Sequence, residues 1–553
     1  MKRILLLRHE ERGVEAQEVT PDGVQAERFR LPAADLTEFV RSAEATPVRW
    51  VWNDTTRWYP ALLEAGVRVE RCTDLRLSHA VLRRSPFVDQ GLLGGDDTAG
   101  WDALQPVTEA VPGLFPLDDP ADELDPRAEL ERQRVALAAS TEQRRLALLL
   151  AAESSGALAA AEMTFAGLPW RADVHERLLT ELLGPRPVPG QRPLVLERLA
   201  AEIRTAFDAP GLNPDSPAGL LRALQTAGLA VTDTRSWTLE QLDHPGIPAL
   251  LEYKKLSRLL TANGWTWLET WARDGRFRSY FVPGGVVTGR WASNGGGALS
   301  VPVQVRPAAV ADAGWRLVVA DVAQLEPRVL AGLSGDAAMA EAARATDLYQ
   351  GMVDSGAVPT RAEAKVGMLG AMYGGTRGES GRMMPRLTRR YPHAIGLVEA
   401  AARAGERGEV VHTVLGRGSP APSGAWAQQA VDLGEPPESS GSPEDRDRRR
   451  RAWGRFTRNF VVQGTGAEWA LCWLAELRNR LWRLAGTGRV SERPHLVFFL
   501  HDEVLVHTPV HLADAVVAEV RAAAAEAGRL LFGAFPVDFP LDVAVVESWA
   551  DAG

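Results

Sequence analysis

Two apolar runs that each end in a carboxylate constrain this chain more than any other feature of its sequence. Residues 317–320 (Leu-Val-Val-Ala) lead directly to Asp321, and residues 496–500 (Leu-Val-Phe-Phe-Leu) lead to the triplet His-Asp-Glu at 501–503. A further apolar run follows the triplet, so this part of the chain predicts a strand, a tight turn and a second strand. The sequence therefore predicts buried strands whose ends carry acidic side chains.

Asp321 and Asp502, if brought together, would form an oxygen-rich site. Mg²⁺ prefers carboxylates, waters and substrate phosphates as ligands, so such a pair favours a magnesium centre. Two ions held in this way activate an attacking hydroxyl and stabilise a leaving phosphate. Either aspartate alone is equally typical of a helix cap or a turn, so at this point both interpretations stay open.

A helical segment carries polar residues at a spacing of four. Arg361, Lys365, Leu369 and Tyr373 recur along one face, and Gly374 follows where the helix is predicted to end. Arg and Lys one turn apart suit a polyphosphate, Arg as a planar fork and Lys as a point charge. Only four of the 62 basic residues are lysines, which draws attention to Lys365. A solvated amphipathic helix would show the same spacing.

In order and spelling, these segments resemble the family A DNA polymerases, the DNA polymerase I type. Within the family, the chain is similar to the short actinobacterial form without a 5′ nuclease domain. The matching segments are residues 321–328 (Asp-Val-Ala-Gln-Leu-Glu-Pro-Arg) for motif A, 361–374 for motif B, 501–503 for motif C, and the supporting pieces Thr288-Gly289-Arg290 and 455–465.

The resemblance implies template-directed extension of a primer 3′ end by two-metal-ion phosphoryl transfer. Asp321 and Asp502 are expected to bind two Mg²⁺ ions with support from Glu503, and Lys365 is expected to act in catalysis. The residues expected to bind the incoming deoxynucleoside triphosphate are Arg361, Lys365, Leu369, Tyr373, Gln324 and Glu326, of which Glu326 would exclude a 2′ hydroxyl. The residues expected to contact primer-template DNA are Arg290, Arg328, Arg455, Asn459, Gln463 and His501.

Several positions depart from the family pattern. Val322 and Ala323 stand where the family usually has Tyr and Ser, and Pro327 replaces an aliphatic residue. Leu369 replaces the aromatic residue that normally packs on the incoming sugar. None of these changes removes an expected metal ligand, so the sequence predicts that catalysis survives.

The front of the chain resembles a 3′–5′ proofreading domain that lacks its carboxylates. Residues 52–82 are similar to the middle part of such a domain, but no Asp-x-Glu follows the opening strand. Trp58 stands near the place of an expected Asp. The later predicted helix offers only Glu153 and Glu162. We therefore expect an exonuclease-like domain without proofreading activity.

The predicted fold class is a multidomain α+β protein, a right-hand polymerase with an N-terminal ribonuclease-H-like α/β domain. The expected divisions are residues 1–164 for the exonuclease-like domain, 165–275 for the thumb, 276–335 and 453–553 for the palm, and 336–452 for the fingers. Residues 416–445 are rich in Pro, Gly and Ser and are predicted to form a flexible loop.

Composition narrows the remaining possibilities. The two cysteines exclude a disulfide framework, and the chain lacks the motifs of P-loop ATPases, dinucleotide-binding enzymes, zincins and nucleophile-elbow hydrolases. No uncharged apolar run approaches 18 residues, so the sequence predicts a cytoplasmic protein without a membrane partner. The resemblance implies a bacterial protein that works at the nucleoid. We expect a monomer.

Three alternatives to a non-proofreading polymerase stay open. The first is a noncatalytic DNA-binding scaffold derived from a polymerase, against which the retained Asp321, Asp502 and Lys365 argue. A polymerase that accepts ribonucleotides is suggested by the altered motifs, although Glu326 argues against it. A polymerase with residual 3′–5′ exonuclease activity is the third.

Overall fold

The computed structural model describes residues 3–10, 13–19, 25–94, 98–107, 124–375, 378–422, 443–485, 488–500 and 502–552. By its contacts the chain forms two compact units. Unit 1 comprises residues 1–166, 280–294 and 318–545, and unit 2 comprises residues 167–279, 295–317 and 546–553.

The strands and helices of the described residues are numbered in chain order. The strands are β1 (Arg3–Glu10), β2 (Gly13–Val19), β3 (Gln25–Leu31), β4 (Val48–Trp52), β5 (Cys72–Asp74), β6 (Leu168–Pro169), β7 (Ala272–Arg273), β8 (Arg276–Phe277), β9 (Tyr280–Val282), β10 (Ala292–Asn294), β11 (Trp315–Val322), β12 (His495–Leu500), β13 (Glu503–Pro509) and β14 (Leu541–Val546). The helices are α1 (Leu36–Ala43), α2 (Thr55–Glu64), α3 (Leu75–Leu82), α4 (Thr98–Ala103), α5 (Pro126–Ala139), α6 (Gln143–Ala166), α7 (Ala172–Leu183), α8 (Leu194–Ala206), α9 (Pro217–Thr226), α10 (Ser236–Leu239), α11 (Ile247–Asn263), α12 (Trp265–Trp271), α13 (Leu325–Ser334), α14 (Ala337–Ala343), α15 (Leu348–Asp354), α16 (Arg361–Tyr373), α17 (Gly378–Arg390), α18 (Pro392–Glu406), α19 (Pro443–Leu484) and α20 (Ala513–Phe532).

The N-terminal part of unit 1 is a five-stranded sheet in the order β3-β2-β1-β4-β5. Strands β1, β2 and β3 are antiparallel, whereas β1, β4 and β5 are parallel. Leu5 and Trp50 pack on one face with α2 and α6, while Leu6 and Val51 pack on the other face against Trp101 of α4. Parallel strands covered on both faces are typical of α/β proteins. The α/β character predicted for this region is therefore present.

A four-stranded sheet in the order β12-β13-β11-β14 lies in the second part of unit 1. The apolar run of β11 is buried, and so are nearly all residues of β12 and β13. Strands β12 and β13 pair as an antiparallel hairpin in which Leu500 faces Glu503. The strand, turn and strand predicted around Asp502 are confirmed.

Helices α13 to α20 complete unit 1. The 42-residue helix α19 packs against α18 and α20, and it also contacts α6, α13 and α16. Helix α16 packs between α15 and α17. The helix predicted from the spacing of Arg361, Lys365, Leu369 and Tyr373 is therefore present, and Gly374 with φ +78° ends it, as expected for a left-handed C-terminal position.

Unit 2 is mainly helical. Helices α7 to α12 surround a small sheet in the order β6-β8-β7, and an aromatic cluster of Trp170, His175, Trp267 and Phe277 fills its centre. Burial lowers the pKa of His175 to about 4, so this imidazole is a neutral core residue. The expected thumb, residues 165–275, lies almost entirely in unit 2. Residues 295–317 and 546–553, assigned to the palm by sequence, also belong to unit 2.

The segment 416–445 was predicted to be a flexible loop. Its first residues form a small hairpin in which Ser419 N donates to Val411 O at 2.8 Å, and Arg417 within it is buried. Pro443 already begins α19. These two ends correct the predicted bounds of the loop, and residues 423–442 lie outside the described part of the chain.

One helix, α6, has the length and composition of a membrane span, yet 67% of its apolar window is buried inside the protein. It packs against α2, β5, β12 and α19, all in unit 1. Helix α6 is therefore the central core helix of unit 1, and its apolar composition has a structural explanation.

Candidate active site

The two aspartates of the predicted metal pair lie at the ends of neighbouring strands. Asp321 is the second-last residue of β11, and Asp502 occupies the turn between β12 and β13. Val322 N donates to Asp502 O at 3.1 Å, which ties the two strand ends together. We call this pair of positions the aspartate edge. Asp321 is exposed and Asp502 is half-buried.

The electrostatics of the aspartate edge suit a bound cation. Burial raises the pKa of Asp502 to about 6, and nearby Glu326 and Glu503 add to the rise, whereas its own backbone amide and Arg290 oppose it. A divalent cation would favour the ionised form of this carboxyl group. Across the described residues, three or more His, Cys, Asp or Glu side chains nowhere group closely enough to hold a metal by themselves. Two carboxylates that share an ion with waters and substrate phosphates are the ordinary arrangement for Mg²⁺.

Helix α16 presents its predicted stripe to solvent. Arg361, Lys365, Leu369 and Tyr373 are all exposed, while the opposite face is buried. Thr360 caps the start of the helix, where its hydroxyl accepts a hydrogen bond from Glu363 N at 3.2 Å. Among the described residues, no hydrogen bond or ion pair engages the ammonium of Lys365. A compact positive charge is therefore available to an anionic ligand.

The first arginine of the stripe is held by a residue that sequence reasoning did not single out. Asp347 caps α15 and accepts from Arg361 Nε at 2.5 Å, and the Arg361 guanidinium lies 5.9 Å from the Tyr349 ring centroid. Burial alone would raise the pKa of Asp347, but Arg361 and the capping amides outweigh it and lower that pKa. The N-cap pattern of Asp347 was visible in the sequence, whereas its pairing with Arg361 depends on tertiary packing.

Glu326 belongs to a hydrogen-bond network that contains four of the predicted residues, which are Arg290, Glu326, Tyr373 and Gln463. Its Oε1 accepts from Arg290 Nη2 at 2.6 Å, and its Oε2 accepts from Tyr373 Oη at 2.6 Å. Gln463 Nε2 in turn donates to Tyr373 Oη at 3.3 Å. Hydrogen bonds to the carboxylate fix its direction, since charge-assisted bonds are stronger than neutral ones. The structure therefore brings together side chains from a turn and three helices.

Arg455, Asn459 and Gln463 recur at a spacing of four along α19 and form a second stripe, which lies near the end of α16. Gln463 lies on this side of the helix, and the aliphatic part of Arg455 packs against Gly374, where an added Cβ would lie 2.7 Å from Arg455 Cγ. Asn459 is half-buried between them along the stripe. Gln324 takes a different position, because its Oε1 accepts from Leu348 N at 3.0 Å and braces the start of α15.

Arg328 does not have the position expected of a DNA-binding residue. It is fully buried, and its guanidinium donates to five backbone carbonyls, at Ala323, Ala343, Asp538, Ala345 and Thr346. Burial lowers the pKa of Arg328 to about 10. Its structural role, which ties α13 to the chain after α14, replaces the expected DNA contact. Another expected contact, His501, lies outside the described residues.

Two buried aspartates of the N-terminal region (residues 3–166), Asp54 and Asp74, have partners within the fold. Asp54 caps α2 and pairs with Arg57 at 2.9 Å and Arg76 at 3.0 Å. Asp74 accepts from Thr55 N at 2.8 Å and from Leu77 N at 2.9 Å. Burial, followed by the charge of Asp54, raises the pKa of Asp74 to about 6. Both side chains are structural caps.

The two glutamates of α6 are paired with arginines far away in sequence. Glu153 accepts from Arg417, and Glu162 accepts from Arg478 Nε at 2.8 Å and from Tyr59 Oη at 2.6 Å. Burial would raise the pKa of Glu162, but Arg478 and Arg68 lower it. Sequence reasoning missed both arginines, because no local pattern announces a pairing across hundreds of positions.

Comparison with known proteins identifies the sequence pattern. The family model described as "DNA polymerase family A" matches residues 195–551. The thermostable DNA polymerase I of Thermus filiformis is 27% identical over 384 residues, which cover 63% of this chain and 41% of that protein. The corresponding enzyme of Thermus aquaticus is 27% identical over 342 residues, 56% of this chain and 37% of that protein. The chain thus spans about two-fifths of the length of these curated relatives.

A solved structure matches the whole chain. It is described as the POL domain of Pol1 from M. smegmatis in complex with DNA primer-template and dNTP. The TM-score is 0.69 at 19% sequence identity, and the match covers 100% of this chain and 96% of that chain. At this identity the likeness establishes the fold.

Proposed function

Because the chain belongs to DNA polymerase family A, we propose that it extends the 3′ end of a primer on a DNA template. The observation that carries this proposal is the aspartate edge, where Asp321 and Asp502 lie on adjacent strand ends joined by the 3.1 Å bond from Val322 N to Asp502 O. The exposed cationic stripe of α16 is the second element that such a reaction needs.

Asp321 and Asp502 would hold two Mg²⁺ ions, with Glu503 in support. Bound Mg²⁺ supplies activation of the primer hydroxyl and stabilisation of the leaving pyrophosphate. The protein contributes the hard oxygen ligands and a partly buried setting in which charge interactions are stronger than in water. The raised pKa of Asp502 supports this proposal, since it reports a carboxylate for which a cation would be favourable.

The face of α16 would bind the incoming deoxynucleoside triphosphate. Arg361 and Lys365 would contact its phosphates, where catalysis is largely positioning and charge neutralisation. Leu369 and Tyr373 would lie against the sugar and base. Gln324 braces this site from the side of α15 through its bond to Leu348 N.

Glu326 would select the sugar. Arg290 and Tyr373 fix its two carboxylate oxygens, so its aliphatic stem keeps one position. A rigid side chain at the 2′ position rejects a hydroxyl by crowding it, which is discrimination against a competing substrate. Retention of this network supports deoxynucleotides over ribonucleotides as substrates.

Residues near the same network would contact the primer-template. Arg290 and Gln463 would donate to purine N3 and pyrimidine O2 in the minor groove, which report pair shape without reading sequence. Arg455, Asn459 and His501 would hold the backbone and the primer end. Phosphate contacts of this kind would make binding weaken with salt.

We infer further that the N-terminal region does not proofread. Its acidic side chains at Asp54, Glu153 and Glu162 are each engaged by arginine, and Asp74 is engaged by two backbone amides. Carboxylates that are already engaged by arginines or by capping amides are poor metal ligands. The strand order of the N-terminal sheet supports the proposal that it derives from an exonuclease-like domain. A monomeric, cytoplasmic protein remains our prediction.

Substitution of Asp502 tests polymerase against scaffold. Asp502→Asn removes a metal ligand while keeping size and hydrogen bonding, so primer extension should stop while binding to a labelled primer-template stays within about twofold of wild type. Asp514→Asn, at an exposed acidic position in the first turn of α20, serves as the control and should extend primers normally. If wild type binds the primer-template but does not extend it, the scaffold alternative replaces the polymerase.

A further inference from the structure

The buried ion pair between Glu153 and Arg417 joins two parts of unit 1. Glu153 belongs to α6, and Arg417 belongs to the hairpin of residues 411–419. Arg417 Nη2 donates to Glu153 Oε1, and both side chains are almost completely buried. A buried charge of either sign is tolerated only with its partner, so each residue fixes the position of the other.

This pair lies against both ends of the turn between β9 and β10. A Cβ built on Gly284 would lie 3.6 Å from Glu153 Oε2, and a Cβ on Gly289 would lie 2.6 Å from Arg417 Nε. Gly289 has φ +85°, and Gly289 N donates to Val286 O at 2.8 Å to close the turn. The glycines thus allow the two charged side chains to contact the turn backbone directly.

The hairpin that carries Arg417 is itself anchored to α19. Thr413 Oγ1 donates to Glu468, and Leu415 N donates to the other oxygen of Glu468 at 3.0 Å. Val414 N donates to Thr465 Oγ1 at 3.2 Å. These anchors lie within one or two helical turns of Gln463, so Arg417 has a fixed base beside the Glu326 network.

The turn ends in Arg290, which contacts Glu326 at 2.6 Å. Val286 N donates to Arg290 O at 3.1 Å, so the backbone of Arg290 belongs to the same turn that Glu153 and Arg417 support. Any shift of this turn would be transmitted to the Arg290 guanidinium. Misplacement by about 1 Å far from the chemistry is enough to slow a reaction strongly.

We propose that Glu153 and Arg417 are positioning residues that hold Arg290 against Glu326 for the polymerase reaction. The proposal rests on the proposed function. A carboxylate of the exonuclease-like region thereby serves the polymerase site, as the support beneath a substrate-contacting turn. The N-terminal region then contributes to polymerase activity.

The chain offers a matched control in the Glu162–Arg478 pair. Glu162 lies on the same helix, α6, and is buried like Glu153, and Arg478 is also fully engaged, donating to Glu162 and to Glu70 O at 2.9 Å. This pair packs against Tyr59, and its hydrogen bonds go to Tyr59, Val69 and Glu70 and not to residues 284–290. Loss of either pair should destabilise the protein, but only loss of Glu153–Arg417 should move Arg290.

The experiment compares Glu153→Gln with Glu162→Gln in single-nucleotide incorporation, with thermal denaturation in parallel. We expect both variants to lower Tm, whereas kcat/KM for the correct deoxynucleotide should fall about tenfold in Glu153→Gln and stay within about twofold of wild type in Glu162→Gln. In an Arg290→Ala background, Glu153→Gln should cost no more than about twofold, because the residue it positions is absent.

Equal effects of Glu153→Gln and Glu162→Gln on kcat/KM would overturn the proposal, and so would an undiminished effect in the Arg290→Ala background. If Glu153→Gln does not fold, Glu153→Asp keeps the charge and shortens the side chain by one methylene. A kcat/KM for Glu153→Asp equal to that of wild type would then contradict the positioning role, and a selective loss would support it. Failure of wild type to extend primers would contradict the proposed function instead.

Discussion

The carboxylates of the N-terminal region differ from those of the aspartate edge in the partners that the fold gives them. In the N-terminal region, each of Asp54, Glu153 and Glu162 forms an ion pair with an arginine. At the aspartate edge, Asp502 keeps a pKa of about 6 because burial outweighs the one arginine near it. A raised pKa alone does not make a ligand: Asp74 also has a pKa of about 6, but its two oxygens already accept from Thr55 N and Leu77 N.

The pKa values of buried glutamates in unit 1 depend on the balance between burial, which raises them, and nearby arginines, which lower them. Glu162, paired with Arg478 and Arg68, has a pKa below its usual range. Glu468 accepts from Thr413 and Leu415 N and forms no ion pair within the described residues, and burial raises its pKa to about 7. Two arginines outweigh burial at Glu162, whereas at Glu153 burial outweighs Arg417 and the pKa stays raised.

The largest expected effect is on the stability of the N-terminal region, at the ion pair between Glu162 and Arg478. Glu162→Gln leaves the guanidinium of Arg478 buried without its charge partner, which should lower the free energy of unfolding by about 3–5 kcal/mol. Urea denaturation measures this loss, and the activity of the folded fraction should be unchanged. A loss below about 1 kcal/mol would show that the pairing is not what stabilises this region.

The second-largest expected effect is on catalysis, at the exposed face of α16. Lys365→Ala should lower kcat/KM roughly 100-fold, because it removes a charge aimed at the triphosphate. Since Lys365 is exposed, the free energy of unfolding should change by no more than about 0.5 kcal/mol. Lys255→Ala, which removes an exposed lysine paired with Glu252 at 3.5 Å, is the control and should leave both quantities unchanged. An equal loss of activity in both variants would refute the role of Lys365.

Glu468 sharpens the comparison through pH. Its folded pKa lies above the ordinary 4.5, so the folded state binds the extra proton and wild-type stability should fall as pH rises from about 4.5 to about 7. Glu468→Gln removes this term, so its stability relative to wild type should be about 2 kcal/mol better at pH 7.5 than at pH 5. Glu162→Gln should show almost no change relative to wild type between these two pH values, since the stabilisation from the lowered pKa of Glu162 is complete above about pH 4.5 and is lost only at lower pH. Urea denaturation at both pH values checks the pair.

The smallest effect concerns the Glu326 network. Tyr373→Phe removes the hydroxyl that donates to Glu326 at 2.6 Å, so discrimination against ribonucleotides should decline by about fivefold. Competition between a ribonucleotide and its deoxynucleotide in primer extension measures the ratio. Tyr391→Phe, which removes a hydroxyl bonded to Ser355, should leave the ratio unchanged. The same ratio for Tyr373→Phe and wild type would mean that Glu326 is held by Arg290 alone.

Local features of the fold were predictable from the sequence, and pairings between distant segments were not. The hairpin at Asp502 and the helix with Arg361 and Lys365 follow from short-range periodicity, which the chain itself fixes. The burial of Arg328 depends on carbonyls as distant as Asp538, and the pairing of Glu153 with Arg417 depends on how α6 packs. Neither leaves a local signature.

The measurement that tests the account most directly uses one labelled primer-template incubated with Mg²⁺, with and without deoxynucleotides. We predict that wild type lengthens the primer when nucleotides are present, that Asp321→Asn does not, and that the primer keeps its length when nucleotides are omitted. Shortening of the primer without nucleotides would contradict the prediction that the N-terminal region has no proofreading activity. An unextended primer in the presence of nucleotides would contradict the assignment of the aspartate edge as a catalytic centre.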